Sequence, residues 1–221
     1  TRDSARLFTW HPRISHEARL LNFLAHLLLA SDDEGLRLGA MLGDFVRGRD
    51  ALSRYDKATR LGIRLHRHID ASTDSLPAVA DLLAGLQPPF RRYGGIIIDL
   101  ALDHELAKHW TEYSDVSLRE FDLGVRELLA RNDHLVPGKL RGFMRYADRR
   151  GLFEAYRCES EVLHSLMGVG QRLTRANPLH RVGEIWDDFQ PEVAACFRQV
   201  FQDIQLDVED WLKSKSTMTG S

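Results

Sequence analysis

Gly62-Ile63-Arg64-Leu65-His66-Arg67-His68-Ile69-Asp70, followed by Thr73-Asp74, sets apolar residues at helical intervals (Leu61, Leu65, Ile69) with histidines, arginines and carboxylates between them. That period predicts a helix. Positions i and i+4 project from one helix face, so His66 and Asp70 reach a single point in space. Imidazole nitrogen with carboxylate oxygen suits a borderline or hard divalent metal. The adjacent arginines suit an anionic substrate. The stretch therefore points to metal-dependent chemistry on a phosphate ester. The competing reading is a solvated, salt-bridged face. Against it, Asp70 and Asp74 are like-charged neighbours that cost stability unless a cation is near. His66 lies on the stripe beside Leu65 and Ile69 and is expected to face inward. His68, about 200° away, is expected at the surface.

The helical period runs through nearly the whole chain. A helix is expected over Ile14–Ala30, apolar enough to be buried on most sides. Ser31-Asp32-Asp33-Glu34 opens a second, running to Val46. A third covers Tyr55–Ala71, and Leu76-Pro77 opens a short fourth that Pro88-Pro89 ends. Phe90–Trp110 follows; its Gly94-Gly95-Ile96-Ile97-Ile98 resembles a buried strand, but the longer amphipathic run favours helix. Ser117-x-x-Glu120 is a capping box for a helix to Arg131. Further helices are expected over Pro137–Gly151 and over Leu152–Thr174, the latter with Gly168 and Gly170 as points of bending or breakage. Pro178 and Pro191 open the last two. No pair of alternating segments is joined by a hairpin turn. The expected fold is all-α, a single-domain bundle of about eight or nine helices over 21–212. Residues 1–20 form an N-terminal extension of uncertain role, and 213–221 a frayed or vector-derived tail.

At 221 residues, 43% apolar and 28% charged, the chain has the composition of one soluble domain with a real core. A net charge of −2 gives no global field toward nucleic acid or membrane. Leu20–Ala30 is too short to span a bilayer and His26 interrupts it. Thr1–Arg19 lacks a signal-peptide layout. Cys158 and Cys196 have no metal-site spacing, and reduced thiols in the cytoplasm fit best.

Three more clusters carry candidate ligands. His26 stands among leucines, and is either a hydrogen-bonded core residue, with Asn22 one turn earlier as partner, or a metal ligand. Asp44, flanked by Met41, Leu42, Phe45 and Val46, needs a cation or several donors; Arg47 or an ion would serve. Asp99 and Asp103 repeat the i, i+4 spacing inside an apolar run, which calls for a metal or an arginine between them. His109 and Trp110 read as packing residues. No nucleophile elbow, catalytic cysteine setting or phosphate-cradling glycine loop competes. The absence of two Glu-x-x-His helices argues against di-iron use.

Asn22-Phe23-Leu24-Ala25-His26, Asp44-Phe45-Val46-Arg47-Gly48, His66-Arg67-x-Ile69-Asp70-x-x-Thr73-Asp74-x-x-Pro77 and Asp99-x-x-x-Asp103-His104-x-Leu106-x-x-His109-Trp110 occur in that order. Together they closely resemble the acyl-carrier-protein phosphodiesterase family, divergent relatives of the HD-type phosphohydrolases. Leu21 stands where that family ordinarily begins with Met. The adjacent His-Asp pair of ordinary HD enzymes is replaced by the reversed Asp103-His104. The resemblance implies an HD-like helical fold and hydrolysis of the phosphodiester joining 4′-phosphopantetheine to a serine of holo acyl carrier protein. It implies a requirement for Mn²⁺ or another divalent metal such as Mg²⁺. The metal shell it implies draws on His26, Asp44, His66, Asp70 and Asp103, with His104 also a candidate, and Asp74 and Asp99 as supporting groups or a base.

On this reading Asp44, Asp103, His104 and Arg67 carry catalysis, His104 or solvent protonating the leaving serine oxygen. Arg47, Arg64, Arg67, Asp74 and Asp99 contact substrate, Arg47 or Arg67 neutralising charge on the phosphoryl oxygens. Carrier proteins are acidic helical bundles, so a basic docking face is expected among Arg47, Arg49, Arg54, Arg60, Arg64, Arg67, Arg91 and Arg92. Two other functions fit the same residues. One is hydrolysis of nucleotides or other small phosphate compounds; the other is a non-catalytic helical module that binds carrier protein.

Overall fold

The computed structural model describes residues 23–147 and 153–217. Ten α-helices occur among them, one a single turn, and no strands. They are α1 (Phe23–Leu29), α2 (Glu34–Leu42), α3 (Arg49–Leu52), α4 (Lys57–Ser75), α5 (Pro77–Gly85), α6 (Gly94–Lys108), α7 (Leu118–Arg131), α8 (Gly138–Ala147), α9 (Glu159–Arg172) and α10 (Gly183–Thr217). The all-α expectation holds. The expected beginning of the first helix, Ile14–Asn22, and the end of the Pro137–Gly151 helix lie outside the described residues.

Local chemistry sets the helix starts. Asp33 caps α2 by accepting from the Leu36 amide at 2.8 Å, and Asp56 caps α4 by accepting from the Thr59 amide at 2.9 Å. The Ser117/Glu120 capping box is complete at α7. Ile96, Ile97 and Ile98 are helical and buried within α6, whose surroundings cover it on nearly all sides.

Several details differ from expectation, among them the end of α4, which runs to Ser75 rather than Ala71. First, α2 ends at Leu42 rather than Val46, which puts Asp44 on a turn. Second, the Leu152–Thr174 helix is divided: a 3₁₀ turn at Glu154–Arg157 is followed by Cys158 in extended conformation, and α9 begins at Glu159. Third, α9 passes unbroken through Gly168 and Gly170. A Cβ on Gly170 would stand 2.5 Å from Asn177 Oδ1, so that glycine admits a neighbouring loop rather than ending the helix. Fourth, Pro191 opens nothing. It lies inside α10, which is one helix of 35 residues. Pro191 and Asp187 both sit on the exposed side, so water reaches the carbonyl that proline's missing N–H abandons. Trp186, Phe189, Val193 and Phe197, buried on the opposite side, carry the helix past it. α10 also continues to Thr217, beyond the Leu212 limit expected for the domain.

α4 is the central element, packed against α2, α5 and α10. Its contact with α2 is a seam of small residues. Gly35, Gly39 and Gly43 on one side advance in step with Ala58, Gly62 and His66 on the other, so the helices run parallel. A Cβ on Gly39 would meet the Thr59 carbonyl at 2.3 Å, and one on Gly62 the Leu36 carbonyl at 2.3 Å. Backbone rests on backbone, and no side chain separates the two axes. α10 lays its apolar face across α6, α4 and α5. Its distal part is tied to α4 by His68, whose Nε2 stands 2.6 Å from Asp207 Oδ2, and by Ser72, which donates to the same oxygen. His68 also stacks on Trp211 with centroids 5.0 Å apart. The histidine expected at the surface is therefore half-buried and joins two helices.

Candidate metal centre

The seam decides where His66 goes. Its ring lies against Gly43, where any side chain would collide with it. His66 Nδ1–H donates to the Ala40 carbonyl at 2.8 Å, inside the last turn of α2. That bond sets the tautomer and leaves Nε2 as a lone-pair donor facing away from α2. Nε2 stands 3.3 Å from Asp44 Oδ1 and 3.6 Å from Asp70 Oδ2. Asp70 Oδ1 is in turn 3.1 Å from His26 Nε2 on α1. The two imidazoles are tilted against each other with centroids 4.2 Å apart. Ligand atoms of His26, His66 and Asp70 all lie within 4.8 Å of one another.

Three of these side chains are almost wholly buried: His66 is 1% exposed, His26 and Asp44 3% each. Neither His66 Nε2 nor Asp44 Oδ2 completes a hydrogen bond. A buried, unsatisfied nitrogen lone pair beside a carboxylate oxygen is unfavourable unless a positive species stands between them. Burial alone pushes the His66 imidazole down, but the Asp44 and Asp70 carboxylates push it up further, and the net direction is upward. A proton is thus drawn to the point that a cation would occupy.

The donor set fits a divalent ion. Two neutral imidazoles and two carboxylates match a charge of +2, and the mixture of N and O donors suits Mn²⁺, with softer Zn²⁺ or harder Mg²⁺ as the neighbouring choices. Donors each about 2.1 Å from one ion stand roughly 3.0–3.4 Å apart at octahedral or tetrahedral angles. The separations of 3.1 and 3.3 Å fall in that range and the 3.6 Å separation lies just above it.

The other expected residues fall in different places. Asp103 is not part of this group. Its oxygens accept the Leu24 and Ala25 amides, both at 3.0 Å, and so hold the first turn of α1, the helix that presents His26. Burial drives Asp103 up to about 7 against the pull of those two amides. His104 lies next to it in sequence but faces elsewhere: Nδ1–H donates to the Tyr156 carbonyl at 2.6 Å and the ring meets Trp186 edge-on. Burial lowers the His104 pKa, so the ring is neutral at ordinary pH. Asp74 and Asp99 line a pocket with His26, Asp70 and Asp103, opposite an apolar wall of Phe197, Val200, Phe201 and Ile204 on α10. Arg67 donates to the Val46 carbonyl, and its guanidinium thereby braces the turn that carries Asp44. Arg47 is exposed on that same turn, and Arg64 is exposed on α4 outside the pocket.

Two parts of the site escaped the reading of the sequence. One is the Ala40 carbonyl with the glycine at 43; its signal was the Gly35-x₃-Gly39-x₃-Gly43 spacing. The other is the α10 wall, whose residues read only as core.

A model of the family described as acyl carrier protein phosphodiesterase matches residues 21–204. The chain belongs to the acyl carrier protein phosphodiesterase family. Its relatives include proteins of that name from Escherichia coli O157:H7 (32% identical over 183 residues, 82% of this chain and 93% of that one). Another is from Serratia proteamaculans (34% over 156 residues, 70% and 80%), and a third from Pectobacterium atrosepticum (38% over 127 residues, 57% and 65%). No solved structure matches the chain. The family's name is that of a hydrolase of phosphodiester bonds. All four residues that converge here lie inside the matched segment. No helix among the described residues is long and apolar enough to cross a membrane.

Proposed function

We propose that this protein is a metal-dependent phosphodiesterase that removes 4′-phosphopantetheine from holo acyl carrier protein, leaving the apo protein. It acts in the cytoplasm, where Cys158 and Cys196, both free thiols, stay reduced. The observation that carries this reading is the convergence of His66 Nε2 with Asp44 and Asp70, where buried His66 Nε2 and Asp44 Oδ2 complete no hydrogen bond among the described residues, in a chain of this family.

His26, Asp44, His66 and Asp70 would hold the ion, and Mn²⁺ is the first choice. When bound, it supplies Lewis acidity, polarising a phosphoryl oxygen and lowering the pKa of a water. The protein does the rest. The Ala40 carbonyl keeps a proton on His66 Nδ1, so in the neutral ring Nε2 presents the lone pair. Asp103 fixes α1 and through it His26; we assign it a positioning role rather than ligation. Arg67 and Arg47, beside the Asp44 turn, meet the non-bridging phosphoryl oxygens, whose charge grows during attack. Asp74 and Asp99, in the pocket wall, orient water for in-line attack on phosphorus. Among the described residues no histidine but His26, a proposed ligand, lines that pocket, so the departing serine oxygen takes its proton from water. His104, turned to Tyr156, is left out of the reaction.

The test is mass spectrometry of holo carrier protein incubated with the Mn²⁺-loaded enzyme. Release of 4′-phosphopantetheine is expected from the native chain, and Asp44→Ala and His66→Ala should lower it more than about a hundredfold with helix content intact. Near-native turnover in either variant overturns the assignment. Hydrolysis of nucleotides with no action on holo carrier protein would favour a small-phosphate substrate instead.

A further inference from the structure

Six of the described arginines pair with carboxylates. Arg37 pairs with Asp32, Arg126 with Asp122, Arg131 with Glu34, Arg141 with Asp133, Arg181 with Glu184 and Arg198 with Glu112. Others do not, and four cations without such a partner stand in one row beside the site. Lys57, Arg60, Arg64 and Arg67 follow each other at i, i+3, i+7 and i+10 along the outer side of α4, and none of them meets a carboxylate among the described residues. Lys57, Arg64 and Arg67 are exposed and Arg60 is half-exposed. Arg47, exposed on the Asp44 turn, extends the stripe around the site and is likewise without an acidic partner.

This arrangement costs the fold stability. Lys57/Arg60, Arg60/Arg64 and Arg64/Arg67 are like-charged neighbours at helical contact spacing. The first two cations also occupy the N-terminal end of α4, where the helix dipole is positive and the N-cap Asp56 is the one acidic group that offsets them. Beyond Asp56, no carboxylate among the described residues pairs with the row, which leaves its charge to a partner from outside. The stripe spans about 15 Å of helix. It lies on the flank of α4 next to the one bearing His66 and Asp70 and ends at Arg67, above the Asp44 turn.

The character of the stripe selects the kind of partner. Its side chains are not interleaved with exposed aromatics, so there is no stacking platform for single-stranded nucleic acid. No exposed apolar residue borders it as a membrane-surface helix requires. The net charge of −2 supplies no broad field for a polyanion. A short linear row of guanidinium groups beside a catalytic pocket fits carboxylates displayed along a protein helix.

We propose that Lys57, Arg60 and Arg64, continued by Arg67 and Arg47, form the docking surface for the acidic face of the carrier protein. This rests on the function proposed above and adds where the substrate protein sits. Arg64 thus serves docking, and phosphate contact falls to Arg67 and Arg47. A carrier seated along α4 brings its modified serine over the end of the stripe, where the ion ligands are.

The experiment uses Lys57→Glu/Arg60→Glu, far enough along α4 to spare the pocket, with Lys57→Gln/Arg60→Gln as the milder pair. Fluorescence anisotropy of labelled apo and holo carrier protein reads docking; mass spectrometry reads release; a small phosphodiester, bis(p-nitrophenyl) phosphate with Mn²⁺, reads the intact centre. At low ionic strength the reversal should weaken binding of both carrier forms and raise KM about tenfold, with kcat and small-ester hydrolysis within about twofold of native. The Gln pair should fall between, and added salt should erase the differences. Reversal variants that bind carrier like the native chain overturn the proposal, as does a native chain that binds neither carrier form. So does a variant that loses binding to RNA or anionic vesicles and keeps carrier. A native chain that docks both forms yet releases no phosphopantetheine would instead sink the catalytic reading and leave the surface standing.

Discussion

Replacing Gly43 by Ala tests the construction of the centre without touching a ligand. Gly43 has φ −50° and ψ −45°, a conformation alanine adopts readily, so the backbone makes no objection. Space does. The new methyl would stand 2.2 Å from His66 Cγ, 2.4 Å from Cδ2 and 2.6 Å from Cβ, well inside the 3.4 Å at which ordinary contact begins. Neither side yields easily, because His66 is 1% exposed and tied to the Ala40 carbonyl at 2.8 Å. Overpacking of this kind costs about 1–3 kcal/mol. Losing the buried Nδ1–H bond adds about 1–2 kcal/mol. The sum, about 2–5 kcal/mol, corresponds to a fall in Tm of roughly 5–15 °C for a chain of this size. Because Nε2 must swing away from Asp44 and Asp70, affinity for Mn²⁺ should drop about 10–100-fold. Gly124→Ala on α7 is the matched control: nothing lies within 4 Å of its added methyl. There the change should stabilise by about 0.5–1 kcal/mol through helix propensity. Calorimetric melting and titration calorimetry with Mn²⁺ measure both. If Gly43→Ala melts and binds metal like the native chain, the seam does not position His66.

Three further outcomes follow from other parts of the molecule. Mn²⁺ at a hundred times its dissociation constant should stabilise by about 2.7 kcal/mol, raising Tm by roughly 5–10 °C; chelator should reverse this, and a Tm indifferent to both would show that no ion binds the folded state. His104 is held neutral by burial, so its folded pKa lies below the unfolded value near 6.5. Its contribution is complete above that unfolded pKa and is lost as pH falls toward the lowered one, so native Tm should decline between pH 8 and 5.5 more steeply than that of His104→Asn, and parallel curves would refute the assignment. Pro191→Ala should restore an amide to the Asp187 carbonyl and stabilise α10 by about 1 kcal/mol or more, read as a higher denaturant midpoint at unchanged m value.

Much of this architecture could be read from residue order, for reasons that also explain the misreadings. Asp33, Asp56 and the Ser117/Glu120 pair are local signals acting over three or four residues, and each marks a real helix start. Pro191 is a local signal too, but burial of Trp186, Phe189 and Val193 on the far side of α10 outweighs it. His26, Asp44, His66 and Asp70 converge as their apolar settings implied, because a polar group among leucines must find a partner. Asp103 sits in an equally apolar run and finds a different one, the amides of α1. The run declares the need and not its source. His104 illustrates the same gap: adjacent positions on a helix point about 100° apart, so one faces α1 and the other Tyr156.

The parallel contact of α2 and α4 has a consequence for how this centre responds to change. Since main chain abuts main chain, the gap between the two axes is a gauge that no rotamer adjustment can widen or narrow. Exchanging the carboxylates or imidazoles alters which ion is preferred while the frame that spaces them stays put. Substituting a glycine of the seam does the reverse, shifting the frame with every donor still in place. Laboratory selection for a new metal should accordingly accumulate its changes at 26, 44, 66 and 70 and leave 39, 43 and 62 untouched.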